Sequence, residues 1–78
     1  MTVQAYILIQ TEVGKASSVA AAIGGLAGIR AADNVTGPYD VVVHAEADTM
    51  DELGKMVSTQ VALVEGITRT LTCPVVHL

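Results

Sequence analysis

The sequence contains no tryptophan and no phenylalanine, and only two tyrosines. Its core must therefore come from Val, Ile, Leu, Ala and Met. Such side chains give roughly 1.5–3 kcal/mol each on full burial, and Ala gives less. A single cysteine, Cys73, excludes an internal disulfide. Only four basic residues are present, Lys15, Arg30, Lys55 and Arg69, and they are scattered. With a net charge of −4, the chain lacks the clustered Lys and Arg that duplex nucleic acid requires. It also lacks the aromatic platforms that stack single strands. No apolar run approaches the ~20 residues of a membrane span. No positive n-region with an apolar h-region marks a signal peptide. These absences predict a cytoplasmic protein that binds neither nucleic acid directly nor membrane.

What is present points to one small folded domain over residues 1–78. The hydrophobic share is 51% of 78 residues, too high for a disordered chain. At this size folding buries only about 60% of the surface of the unfolded chain. With so few large side chains, a lone copy has a marginal core. An oligomer is therefore expected.

Residues 3–11, VQAYILIQT, alternate as a strand. Val3, Ala5, Ile7 and Ile9 face one way, and Gln4, Tyr6, Leu8 and Gln10 the other. Both faces have apolar centres, which predicts a central strand covered on both sides. Residues 15–27 predict a helix, with Val19, Ile23 and Leu26 on its inner stripe and Ala22 beside them. Gly24 and Gly25 weaken it by about 1 kcal/mol each relative to Ala. They are expected to let the helix end pack close to the sheet. Residues 29–36 read as a polar edge strand. Gly37-Pro38 turns the chain, and residues 39–47 form the next strand.

Thr49 and Glu52 have the spacing of a capping box, and Asp51 and Glu52 suit the positive end of a helix. That helix is predicted to run to about Val64. Its inner stripe is Leu53, Met56, Val57, Gln60, Val61 and Val64, and Glu65-Gly66 ends it. Residues 67–76 form the last strand. Its alternation puts Ile67, Leu71, Cys73 and Val75 on the inner face. Pro74 has no N–H to donate, which suits an edge.

The order strand-helix-strand-strand-helix-strand predicts an α+β, ferredoxin-like βαββαβ fold. Right-handed crossovers give a four-stranded antiparallel sheet with both helices on one face. The first and third strands are then central. The other face carries Tyr6, Leu8 and Val42 with no helix to cover them. A bare apolar face on a small domain marks an interface, and a two-fold dimer, sheet against sheet, is the simple solution.

The chain resembles an effector-binding domain of the leucine-responsive (Lrp/AsnC) regulators. Gly37-Pro38-Tyr39-Asp40 resembles the family's Gly-x-aromatic-Asp hairpin, and Val41-Val42-Val43 its apolar continuation. Asp48 through Leu53 resembles its acid-opened second helix. Glu65-Gly66-Ile67 and Thr68-Arg69-Thr70 resemble its Pro-Gly-Val and Thr-x-Thr entry to the last strand, with Glu65 in place of the usual Pro. The resemblance implies a dimeric α/β sandwich or barrel that assembles into a larger ring such as an octamer. It implies amino acids or related small molecules bound in clefts between dimers, and no catalysis. Family members usually carry an N-terminal helix-turn-helix. This sequence starts at the first strand, so DNA binding is not carried over, and a full-length regulator becomes a possible partner.

Asp40 is the residue best placed for chemistry. Its carboxylate can accept hydrogen bonds from an α-ammonium, and backbone N–H groups near the turn that holds Gly37, Pro38 and Tyr39 can meet a carboxylate. The plainer role for Asp40 is to cap the hairpin. Thr36, Thr70 and Thr72 can offer hydroxyls to a cleft, or simply fill strands as β-branched residues. By resemblance, Met50 and the stretch Leu71-Thr72-Cys73 match positions that line the effector region. Met50 also suits first-turn packing. Cys73 lacks any activating signature and reads as a buried structural cysteine. His44 and His77 lack metal-ligand spacing, and no cofactor motif is present. His44 reads as a sheet-face residue in the dimer contact.

The predicted function is a non-catalytic amino-acid-binding and oligomerisation module in transcriptional or metabolic regulation. The alternative is a small dimeric α/β-barrel enzyme, a cofactor-free monooxygenase or isomerase, which shares the strand order. The Val, Ile and Ala of the inner face argue against it. A third reading is a purely structural oligomerisation module.

Overall fold

A computed structural model describes residues 2–77. The elements are β1 (Val3–Thr11), α1 (Ala16–Gly24), β2 (Ile29–Asn34), β3 (Val41–Ala47), α2 (Met50–Met56) and β4 (Ile67–Pro74), with a π-helical turn (Val57–Val61) continuing α2. They form one antiparallel sheet in the order β2-β3-β1-β4. This is the ferredoxin-like α+β arrangement, with β1 and β3 central and β2 and β4 at the edges.

The inner face of the sheet follows the sequence pattern. Ala5, Ile7 and Ile9 of β1 stand opposite Ala45, Val43 and Val41 of β3, and all six are buried. Val19, Ala20 and Ile23 of α1, Leu53 and Met56 of α2, and Val61 close over them. Both helices thus cover one face. Among the described residues no polar or charged side chain is fully buried.

Four local departures have physical causes. The first is that α1 ends at Gly24, three residues before the predicted end, and Ala20 is buried while Ala22 is exposed. Two successive glycines are poor helix formers, and the chain turns there through a Leu26 N–H to Ile23 carbonyl bond of 2.9 Å. Neither Gly24 nor Gly25 packs on the sheet. The close approach is at Gly28, whose φ is +86° and where a Cβ would stand 2.8 Å from the Glu46 carbonyl oxygen.

The second departure is in α2. Its start is as read: the Thr49 hydroxyl accepts the Glu52 N–H at 3.1 Å. Past Met56 the helix widens, and Ala62 N–H reaches the Val57 carbonyl five residues back at 2.8 Å. The wider turn rotates the apolar stripe, so Val61 is buried and Gln60, predicted on the stripe, is exposed.

The third departure is in β4. Thr11 pairs with Ile67 but Gln10 pairs with Arg69, so Thr68 is an extra residue in a β-bulge. The bulge reverses the alternation. Thr70 and Thr72, opposite Ile9 and Ile7, turn toward the helices, while Leu71 and Cys73 stand opposite Leu8 and Tyr6 on the open face. Cys73 is exposed, which corrects its reading as a buried structural residue. The strand ends at Pro74 rather than at residue 76, and Pro74 does sit on an edge.

The fourth departure is at the hairpin. β2 stops at Asn34 instead of 36, and β3 starts at Val41 instead of 39. The connection is therefore the six-residue stretch from Val35 to Asp40, longer than a tight turn.

No helix among the described residues covers the other sheet face. Tyr6 is 46% exposed and Leu71 43%, and Leu8 lies between Val42 and Leu71 in register. Tyr6 stacks on His44 with ring centroids 5.0 Å apart. His44 Nε2 lies 3.2 Å from Gln4 Oε1, so this histidine is held on the sheet face as the alternation predicts.

Candidate functional site

The hairpin between β2 and β3 is built onto the end of β1. Val35 N–H donates to the Asp40 carbonyl at 2.9 Å and closes the loop. Asp40 N–H donates to the Ile9 carbonyl at 2.8 Å, which carries the loop onto β1. Gln10 Nε2 donates to the Pro38 carbonyl at 2.9 Å and holds the turn from the side. The Asp40 carboxylate then reaches across to the last residue of β1. Its Oδ2 accepts the Thr11 N–H at 2.8 Å and the Thr11 hydroxyl at 3.3 Å.

The Asp40 carboxylate thus ties the hairpin to the end of β1. One oxygen caps the end of β1. The other, Oδ1, makes no hydrogen bond among the described residues, and the side chain is only half-buried. Gly37 adopts φ +143°, and nothing lies within 4 Å of where a side chain would begin. The loop therefore presents open backbone next to a carboxylate with a free oxygen. Such a site can accept a cationic donor and offer main-chain polar groups beside it.

The hairpin gathers Thr36, Gly37, Pro38, Tyr39 and Asp40. Thr36 and Pro38 are exposed, and Tyr39 is half-buried. Met50, 50% exposed, opens α2 at the far end of β3. Seven strand residues at about 3.3 Å each put it roughly 20 Å or more from Asp40 in the same chain. Leu71 lies on the open face, two strands away from Val42 across the Leu8 row. Thr72 faces the helices. One copy of the chain does not bring Met50, Leu71 and Thr72 to the hairpin.

Gln10 and Thr11 were not singled out from sequence. Their one signal is the switch from apolar to polar residues at the end of β1, just where the strand outruns β3. Elsewhere, a groove of about 330 Å³ lies on the helix side, lined by Lys15, Ser18, Ala22, Val64 and Glu65. It shares none of the hairpin residues. An Arg30–Glu46 ion pair joins β2 to β3, and the Arg30 guanidinium holds the Glu46 carboxyl below its ordinary range. No cluster of three His, Cys, Asp or Glu side chains among the described residues is arranged to hold a metal ion. No helix among them is long and apolar enough to cross a membrane.

Residues 4–77 match the family described as the Lrp/AsnC ligand binding domain. The chain belongs to this family. No curated protein matches it in sequence. Among solved structures, TTHA0845 from Thermus thermophilus is similar at 28% identity and a TM-score of 0.91, over 97% of this chain and 95% of that one. The AsnC protein of E. coli aligns at 21% identity with a TM-score of 0.90, over 97% of this chain and 52% of that one. The transcriptional regulator NMB0573 of Neisseria meningitidis, solved as a complex with L-Met, aligns at 18% identity with a TM-score of 0.84, over 96% of this chain and 50% of that one. The chain thus spans about half the length of these two regulators, and their likeness is one of fold. Lrp/AsnC ligand-binding domains are regulatory effector-binding modules.

Proposed function

We propose that this Lrp/AsnC domain binds an amino acid at the Gly37–Asp40 hairpin and couples that binding to self-assembly in transcriptional or metabolic regulation. The observation that carries the reading is the Asp40 carboxylate. It is fixed on one oxygen by Thr11 and free on the other, beside open backbone at Gly37. The α-ammonium would bond to Oδ1, and the loop backbone would meet the α-carboxylate. The L-Met complex of NMB0573 lends support by analogy, since that regulator shares the fold.

Self-assembly has its own support. The bare face of Tyr6, Leu8, Val42 and Leu71 would be covered by the same face of a second copy, giving a homodimer. Dimers would assemble further into a ring, bringing the hairpin of one against another. Of the residues dispersed in one copy, Met50 would border the effector only across such contacts, whereas Leu71 belongs to the dimer face and Thr72 faces the helices. A full-length Lrp/AsnC regulator would be a partner of the module.

A thermal-shift screen of the purified chain against all proteinogenic amino acids tests the reading. An amino acid present at one hundred times its dissociation constant adds about 2.7 kcal/mol to a protein that binds it. A raised midpoint with one or a few amino acids supports the reading, and an unmoved midpoint with all of them rejects it.

A further inference from the structure

The strongest feature outside the hairpin itself is the strand end that carries it. At Gln10 and Thr11 three segments meet. The hairpin docks there on one side, while on the other side the pairing with β4 slips by one residue. Thr11 is the only described residue whose side chain bonds to the Asp40 carboxylate. Both of its donors, main-chain and hydroxyl, go to the same oxygen. A carboxylate hinged at one Cβ–Cγ bond swings freely unless one oxygen is pinned. Two donors hold Oδ2, and Oδ1 makes no hydrogen bond among the described residues. The N–H holds Oδ2 with one bond, and the hydroxyl strengthens that hold with a second.

We infer that Thr11 is a positioning residue of the effector site. Its hydroxyl orients the Asp40 carboxylate so that one oxygen, and not both, is presented to a ligand. This rests on the reading of Asp40 as the ammonium acceptor. It also specifies the ligand's donor. A single presented oxygen suits an ammonium, which bonds as a point charge. It suits a guanidinium less, because the planar fork bonds best to both oxygens of a carboxylate. Gln10 supports the same geometry from the turn side through the Pro38 carbonyl.

Two substitutions separate positioning from mere structure. Thr11→Val keeps the β-branched shape and the main-chain N–H but deletes the hydroxyl. Thr11→Ser keeps the hydroxyl. Because Thr11 is half-buried at a strand end, Thr11→Val is expected to fold, and Thr11→Ala serves as a second hydroxyl-free variant. Wild type and variants are compared for their unliganded melting midpoint and for calorimetric affinity. The probes are L-methionine and the amino acids that move the wild-type midpoint.

The inference predicts that Thr11→Val and Thr11→Ala stay folded but bind about tenfold more weakly, whereas Thr11→Ser binds as wild type does. If Thr11→Val binds as tightly as wild type, or Thr11→Ser is as weak as Thr11→Val, the positioning role is overturned while amino-acid binding stands. If wild type binds no amino acid at all, the reading of the site falls, and the role of Thr11 with it. The Thr11–Asp40 bonds are then only a strand cap.

Discussion

Thr11 and Asp40 lie 29 positions apart in the chain and are joined by two hydrogen bonds to a single carboxylate oxygen. The first ties the Asp40 carboxylate to the backbone of β1, where β3 has already ended. Without it the Thr11 N–H would have no partner on that side. Replacing Asp40 by Ala removes that acceptor and should cost about 1–3 kcal/mol. Urea denaturation of the two proteins checks this. Asp40→Asn keeps an acceptor oxygen and should lose less.

Gly28 is fixed by the backbone it touches. Its φ is +86°, and an added Cβ would stand 2.8 Å from the carbonyl oxygen of Glu46. The Glu46 N–H also donates to the Gly28 carbonyl at 2.8 Å, so the two segments cannot simply move apart. Gly28→Ala should therefore destabilise by more than about 1 kcal/mol, read as a lowered denaturation midpoint. The same change at Gly24, where an added Cβ meets nothing within 4 Å, should be neutral or stabilising.

Glu46 supplies a pH dependence with a definite sign. The hydrogen bond from Arg30 lowers its carboxyl below the ordinary 4.5, opposed by partial burial and aided by a bond from Thr2 and by the charges of Arg30 and His44. A carboxyl lowered on folding stabilises fully above its unfolded value, and the gain disappears as pH falls through the folded value. Glu46→Gln should flatten the stability profile below about pH 4.5 and leave its shape near neutrality unchanged. Arg30 is 61% exposed, so the effect should be small and shrink further in high salt.

Much of this fold was legible in the sequence. Apolar residues at a period of two in Val3–Ile9, and the apolar run Val41–Val43 after the turn, marked the central strands. Thr49 and Glu52 located the start of α2. Where reading by period went astray, an inserted residue had broken the period. The extra residue Thr68 reversed the phase of β4, and the π-helical turn at Val57–Val61 shifted the stripe of α2 past Gln60. Periodicity carries no mark of such insertions, because each is set by pairing with a distant strand or by packing beneath a helix. Of the candidate site, only the hairpin was legible. The Gly37–Asp40 turn announced itself through its own residue types. Thr11 did not, since only the fold brings it to Asp40.

Leu8 tests self-assembly. It lies at the middle of the open face, opposite Val42 on one side and Leu71 on the other. If a second copy covers this face, Leu8→Asp buries an unpaired charge and should dissociate or unfold the protein. Light scattering should give a dimer or larger assembly for wild type at micromolar concentration. A folded wild-type monomer under those conditions would contradict the proposed assembly.

The most direct test of the effector site is calorimetric titration of wild type and Asp40→Asn with L-methionine and the other proteinogenic amino acids. The substitution keeps the shape of the side chain and an acceptor for Thr11, and removes the charge that would meet an ammonium. Wild type is predicted to bind at least one amino acid. Asp40→Asn is predicted to bind it about ten- to a hundredfold more weakly, the loss of roughly 1.5–3 kcal/mol that goes with one charged hydrogen bond. Equal affinity in the two proteins would contradict the account: Asp40 would then serve the hairpin alone, and the amino acid would bind elsewhere.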